Sequence, residues 1–431
     1  RTARALRSGR TLFDHRAVII GTSTSELLDG LDAIAAGRDT GPRDTGPRDT
    51  GLRGTGARGT GARGTGAVVT GQARPAGKTV FVFPGQGSQW PGMGAALLQQ
   101  SPVFAASMAE CEQALAPHLD WSLTQTLTQP PDSPVWDRTE VIQPALFAIM
   151  VSLARLWQAH GVHPDTVIGH SQGEIAAAHI AGALTLHDAA RISALRSQAL
   201  TRLHHTGGMA HIAAHPHTLD ELDGLEEISI AAVNGPDSTT VSGPDTALTR
   251  LLEHCTRNGI RSKRLPVNYP SHHPAIDTLQ THILTALTGI TPQPPTITWI
   301  STCTGQTNPH PDPAYWHTNL RHTVQLHQTT THLHHTGHTT YLEISPHPIL
   351  TTDLTHTLTQ NTPTPNSPPS DTPPTNNPPP PAEPLVHHTL TRDHHTYTHY
   401  LHNLAHLHTH THHPITYTPT QPNQPEPPEP P

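Results

Sequence analysis

Aromatic and charged residues are both scarce in this 431-residue chain, at 4% and 13%. A chain with so few large apolar anchors cannot be packed core throughout, and the excess of Pro (45) and His (37) points the same way. Basic residues are few as well, Lys+Arg 25 against Asp+Glu 33, for a formal charge of -8. That balance offers no footprint for nucleic acid. Only three cysteines occur, Cys111, Cys255 and Cys303, far apart and without CxxC spacing. They give no disulfide framework and suit a reducing compartment. The longest apolar run, 145–153, is too short to cross a bilayer. The start, Arg1 rather than Met, lacks the basic, apolar, small order of a signal peptide. These absences predict a cytoplasmic protein with no membrane partner, cut from a longer chain.

What is present is sharply localised. Asp165-Thr-Val-Ile-Gly-His-Ser-Gln-Gly-Glu174 reads as a short buried strand over 166–169, a very sharp turn through Gly169-x-Ser171-x-Gly173, and a helix from Gly173 onward. Small residues let strand and helix approach closely, which pushes Ser171 out beside the backbone N–H groups of the helix start. Those donors can hold a developing oxyanion. The bland alternative is a glycine-rich turn with an incidental serine.

Around this elbow the chain falls into segments. Over 1–37, a strand at 16–20 and a helix capped by Thr24 or Ser25 read as the tail of a linker domain. Five-residue repeats of Arg, Asp, Thr, Gly and Pro follow, and 38–77 is expected to be a low-complexity disordered insertion. A globular pattern begins at Lys78 with a strand over 79–83, the turn Pro84-Gly-Gln-Gly-Ser-Gln-Trp90, and a helix from Ala145 to His160. A helix over 186–203 follows the elbow and carries Arg191 and Arg196. From Gly207 four short strands (209–214, 228–233, 239–242, 260–265) alternate with helices at 218–222 and 245–258. This β-α-β-β-α-β order predicts a ferredoxin-like subdomain over 207–268 inserted into the larger one. The large domain then resumes over 269–357 with a helix over 275–288, a strand at 296–301, a helix around Val324 and a last strand at 340–345. A Pro-rich linker is expected over 358–384, and an arm that docks or stays loose over 385–431.

An elbow serine needs a base. His272 stands out among many histidines because Tyr269-Pro-Ser-His272 lies where the inserted unit returns the chain to the large domain, facing a cleft of the kind that forms pockets. No aspartate is obviously placed to orient it, which leaves a backbone carbonyl for that task.

The sequence as a whole resembles the acyltransferase domains of modular type I polyketide synthases, related to malonyl-CoA:acyl carrier protein transacylases. The motifs that carry the resemblance are FPGQGSQW at 83–90, RTEVIQPALFAIMVSLA at 138–154, GHSQGE at 169–174, ALRSQAL at 194–200, AAVNGPDSTTVSG at 231–243, YPSH at 269–272 and YLEISPHPIL at 341–350. The flanks look like a ketosynthase-to-acyltransferase linker and a post-acyltransferase linker. The resemblance implies an α/β fold, an α/β-hydrolase-like large domain with the ferredoxin-like insertion. It implies Ser171 as nucleophile, His272 as general base and acid, the backbone N–H groups of Gln86 and Gln172 as oxyanion hole, and Arg196 as holder of the extender's free carboxylate. The carbonyl of Gln325 aligns with the group that orients the histidine. No cofactor or metal is bound; a coenzyme A thioester is the substrate, phosphopantetheine on an acyl carrier protein the acceptor, and adjoining ketosynthase and other synthase domains the partners.

Methylmalonyl members of the family tend to read GHSQG with YASH, malonyl members GHS(I/V)G with HAFH. Gln172, Tyr269 and the small Ser271 favour methylmalonyl-CoA, while Pro270 departs from the motif and leaves malonyl or ethylmalonyl open. A serine hydrolase or thioesterase shares GxSxG but places its histidine late, after an acidic residue. A metal-binding protein is a further alternative, but the His-Thr-His-Thr-His-His run at 408–413 belongs to a compositional excess without ligand spacing.

Overall fold

The computed structural model describes residues 13–37, 67–75, 77–130, 132–220, 226–360, 383–413 and 415. They form two compact units, one from the segments up to residue 76 and 398–415, the other from 77–397.

In the smaller unit β1 (His15–Ile20) pairs antiparallel with β2 (Ala67–Gln72), from His15 opposite Gln72 to Ile20 opposite Ala67. β2 corrects the expectation of disorder over 38–77: Val68 is fully buried and the strand is paired along its length. The repeats at 38–66 lie outside the described residues. The helix Thr24–Ala35 is capped by Ser23 rather than by Thr24 or Ser25, its hydroxyl accepting from the Glu26 N–H. Glu26 reaches back to accept the Thr22 N–H at 2.6 Å, so one helix donor and the N–H just before the cap are both satisfied. Most of the helix Tyr397–His410 belongs here too, held by Arg16 through the carbonyls of His408 and Thr411. Within the arm expected to be docked or loose this helix is a built element, while residues 414 and 416–431 lie outside the described residues.

The strands of the larger unit are β3 (Lys78–Phe83), β4 (Thr166–Gly169), β5 (Gly208–Ile212), β6 (Ser229–Gly235), β7 (Ser238–Gly243), β8 (Ser262–Arg264), β9 (Thr298–Ser301), β10 (His338–Glu343) and β11 (Leu385–His388). Five of them make a parallel sheet in the order β11-β10-β3-β4-β9. β4 and β10 are buried at every position and β3 at all but its first, as strands covered on both faces must be. β5 to β8 make a separate antiparallel sheet in the order β6-β7-β5-β8, with helices Pro216–Asp220 and Asp245–Arg257 between its strands. The expected order of elements is present, with the last strand shortened to three residues.

Other differences have physical reasons. The core helix runs Thr139–Ala159 and so begins six residues earlier than expected. Pro144 suggested a start after it, since an interior proline removes one hydrogen bond; burial of nearly the whole helix outweighs that loss. This helix is long and apolar enough to cross a membrane, but 89% of its apolar window is buried within the unit. No helix surrounds Val324. That residue is extended instead, its N–H donating to the Ala231 carbonyl and its own carbonyl accepting from Val233, and the helix starts at Leu326. The expected helix over 275–288 is a 3₁₀ turn, Pro274–Leu279, followed by a short helix Gln280–Ala286. A helix over Thr351–Gln360 and strand β11 were not anticipated; β11 takes residues assigned to the trailing linker into the main sheet. Residues 361–382 of the expected linker lie outside the described residues.

Candidate active site

Strand β4 ends at Gly169, and two residues on the chain reverses through Ser171 at φ 53°, a left-handed conformation that a non-glycine residue adopts only where its surroundings enforce it. The glycines provide that enforcement. A Cβ on Gly169 would lie 2.2 Å from the Glu174 nitrogen, and one on Gly173 would lie 2.1 Å from the Phe83 carbonyl oxygen. The helix Gly173–Ile180 can therefore leave the turn only by passing against the backbone at the end of β3. Gly173→Ala is expected to push these backbones apart and cost about 3 kcal/mol of stability. Urea unfolding reads this directly; an unchanged midpoint would mean that the close approach does not require glycine.

His272 comes from the other side of the cleft, just after β8, also in a left-handed conformation at φ 56°. Its Nε2 stands 2.9 Å from Ser171 Oγ and its Nδ1 2.6 Å from the His322 carbonyl oxygen. A carbonyl only accepts, so the ring proton sits on Nδ1 and Nε2 is left as an acceptor toward the serine hydroxyl. Burial pushes the His272 pKa down to about 3; the His322 carbonyl opposes this, and the Arg196 and His170 charges reinforce it. The imidazole is therefore neutral near pH 7, the state that can take a proton.

The orienting carbonyl is that of His322, which corrects the assignment to Gln325. His322 caps the C-terminal end of the helix Pro313–Arg321, where helix carbonyls lack intrahelical partners. Gln325 instead donates its N–H to the Thr302 carbonyl and caps the following helix.

The other anticipated residues gather at the same place. Gly85 lets the FPGQG loop lie on the elbow, since a Cβ there would be 3.2 Å from the His170 carbonyl and 3.8 Å from Ser171 Cβ. Among the described residues none accepts from the backbone N–H of Gln86 or Gln172. The Gln172 side chain is buried, and neither of its amide atoms has a partner. Tyr269 is buried and donates its hydroxyl to Gln86 Oε1 at 3.1 Å, with Gln143 Nε2 3.2 Å from the same hydroxyl. Ser271 is 7% exposed.

Arg196 is buried to 1% exposure without a carboxylate at hydrogen-bond distance among the described residues. Its Nη2 donates to Asn319 Oδ1 at 3.0 Å and its Nη1 to Gln143 Oε1 at 3.4 Å, while Nε has no partner. Asn319 also donates to the Ser171 carbonyl at 3.3 Å. Burial pulls the guanidinium pKa down to about 10, which leaves it charged at neutral pH. Gln143, Asn319 and His322 are the site residues that sequence reasoning missed. Gln143 lies inside the motif at 138–154, but neutral amides such as Gln143 and Asn319 carry no signature of their role, and a carbonyl contribution carries none at all.

A cavity of about 540 Å³ adjoins the site, reaching Gln86, Trp90, Trp136, Ile142 and Asn268. No group of His, Cys, Asp or Glu residues suited to a metal occurs among the described residues. Chemically, the site joins a serine hydroxyl to a neutral base held by a carbonyl, two free backbone donors and a buried cation without a counter-ion.

Residues 80–411 match the acyl transferase domain family. Over 372 residues the chain is 43% identical to polyketide synthase GfsA of Streptomyces halstedii, a match covering 82% of this chain but 5% of that protein. Over 361 residues it is 42% identical to the pikromycin polyketide synthase component PikAIII of Streptomyces venezuelae, covering 83% of this chain and 21% of the relative. The chain thus spans a small part of the curated relatives it matches. Among solved structures it resembles the acyltransferase domain from module 8 of the salinomycin polyketide synthase, with 39% identity, a TM-score of 0.79, and coverage of 95% of this chain and 87% of that one. A loading acyltransferase from the avermectin modular polyketide synthase is similar at 40% identity and a TM-score of 0.68, over 77% of this chain and 99% of that one. With the motifs, the parallel sheet and these relatives in agreement, the chain belongs to the acyltransferase domains of modular type I polyketide synthases.

Proposed function

We propose that this domain loads a methylmalonyl extender unit from coenzyme A onto the phosphopantetheine thiol of an acyl carrier protein, through an ester on Ser171. The observation that carries the reading is the 2.9 Å contact between Ser171 and a neutral His272 in a site that also buries an uncompensated Arg196. His272 Nε2 takes the hydroxyl proton as Ser171 Oγ attacks the thioester carbonyl. The N–H groups of Gln86 and Gln172 receive the oxyanion. The His322 carbonyl, already on Nδ1–H, stabilises the imidazolium that forms. Collapse releases the coenzyme A thiol with the proton from Nε2, and the carrier thiol then repeats the sequence in reverse. Arg196 pairs with the extender's free carboxylate, its planar fork held by the amides of Gln143 and Asn319. The adjoining cavity gives the pantetheine arm room to approach. On this reading the larger unit is an α/β-hydrolase-like body with a ferredoxin-like insertion, which the order β6-β7-β5-β8 supports. The partners are a carrier protein and the neighbouring domains of a cytoplasmic synthase.

The small Ser271 beside His272 leaves space for an α-methyl group, and Gln172 and Tyr269 fit the same choice. Intact-protein mass spectrometry after brief incubation with equal concentrations of methylmalonyl-CoA and malonyl-CoA should show the methylmalonyl adduct in about tenfold excess. An equal or malonyl-dominated mixture would overturn the extender assignment while leaving the transferase reading in place.

A further inference from the structure

One buried ionisable group takes no part in the chemistry described so far. Glu174 lies three residues past Ser171, in the first turn of the helix that follows the elbow, and it is completely buried. Its Oε1 accepts from the backbone N–H of Thr302 at 2.8 Å and of Cys303 at 3.1 Å, with the Thr302 hydroxyl at 2.9 Å and the Ser301 hydroxyl at 3.4 Å. Its Oε2 accepts from the Tyr315 hydroxyl. Among the described residues no cation neutralises this carboxylate directly; neutral donors hold it, as buried charges require when they lack an ion partner.

Every segment that Glu174 grips also feeds the site. The Thr302 hydroxyl lies 2.5 Å from the Gly169 carbonyl at the end of β4, and the Thr302 carbonyl accepts the Gln325 N–H. Tyr315 sits on the helix Pro313–Arg321 one turn before Asn319, which touches both Arg196 and the Ser171 carbonyl. The same helix ends at His322, whose carbonyl holds His272. The elbow, the loop after β9 and the helix carrying Asn319 and His322 therefore share one carboxylate.

We propose that Glu174, as an ionised clip, is a positioning residue that keeps the Ser171 elbow in register with His322 and Asn319, and that loss of its charge slows acylation. The proposal rests on the acyl-serine reading above. Protonation would turn one carboxylate oxygen into a donor, so the Tyr315 or Thr302 hydroxyl would accept from it and direct its own proton to the Ser301 hydroxyl or the Gly169 carbonyl, replacing the charge-assisted grip with weaker neutral hydrogen bonds.

The charged and titratable neighbours identify which group changes state near neutrality. Burial raises the Glu174 pKa to about 7, against the lowering by Tyr315, Thr302 and Cys303 hydrogen bonds. Tyr315 is raised well above its ordinary value and Cys303 to about 12, both chiefly by burial, and Arg196 stays charged up to about 10. His272 remains neutral down to about 3. Glu174, rather than the base His272, is therefore the group expected to lose its charge as the pH falls through neutrality.

The test is the single-turnover rate of acyl-enzyme formation from methylmalonyl-CoA between about pH 5.5 and about pH 9, in the wild type, Glu174→Gln and Tyr315→Phe, with Ser171→Ala as control. The wild-type rate should fall below about pH 7. Glu174→Gln should acylate about 10-fold more slowly at high pH, with an unchanged KM and no limb near neutrality. Tyr315→Phe removes a hydrogen bond that favours the carboxylate, so its limb should move to higher pH, a change that a purely structural contact would not produce. A pH-independent wild type, a limb that persists in Glu174→Gln, or an unmoved limb in Tyr315→Phe would each overturn the clip. An adduct persisting in Ser171→Ala would instead overturn the acyl-serine reading.

Discussion

His272→Ala is expected to slow formation of the acyl-enzyme by about 10²- to 10⁴-fold, the range that positioned general bases contribute, while Ser171→Ala carries no adduct at all. The prediction rests on position as well as identity. His272 Nε2 is within hydrogen-bond distance of Ser171 Oγ, and the ring is locked in the accepting tautomer by the His322 carbonyl. The neighbouring His170 is engaged elsewhere, its Nε2 2.8 Å from Asn234 Oδ1. The left-handed backbone at residue 272 strains alanine, so His272→Asn, which tolerates that conformation, separates lost chemistry from lost folding. Quench-flow mass spectrometry reads both. An alanine variant that acylates within about threefold of the wild type would remove His272 from the mechanism.

The parts of this site that were legible in the sequence are those where chemistry constrains side-chain identity. Gly169 and Gly173 are small because backbone atoms lie about where their Cβ would be, so the elbow could be read as a spaced pattern. β3 and β4 could be read because strands buried on both faces must be continuous apolar runs. Contributions made by the backbone could not. Any residue can supply the carbonyl that His322 supplies, so only the path of the chain decides, and that path depends on Val324 being extended between Ala231 and Val233 rather than helical. The same holds for β2 and β11, whose pairing partners lie far away in sequence. Local composition suggested disorder at one and a linker at the other, and strand pairing overrode it. Gln143 and Asn319 illustrate an intermediate case: their identity is chemically meaningful only once Arg196 is known to lie between them.

Arg196→Ala is expected to invert acyl selectivity, lowering acylation by methylmalonyl-CoA about 100-fold or more while leaving propionyl-CoA unchanged or improved. A guanidinium buried to 1% exposure, with only two neutral amide oxygens as partners and its Nε unpartnered, is held in an unfavourable state. An incoming carboxylate relieves it through charge-assisted hydrogen bonds; an acyl group without one leaves the cation as it was and displaces whatever water reached it. Removing the cation abolishes both effects at once, so the two substrates should move apart rather than together. Arg196→Lys separates charge from geometry. An ammonium keeps the charge but cannot span Gln143, Asn319 and a carboxylate as a planar fork does, so recovery of methylmalonyl transfer should be slight. Competition between methylmalonyl-CoA and propionyl-CoA in one reaction, followed by intact mass, gives the ratio directly. A parallel fall for both acyl groups would show that Arg196 supports the site's structure rather than recognising the carboxylate.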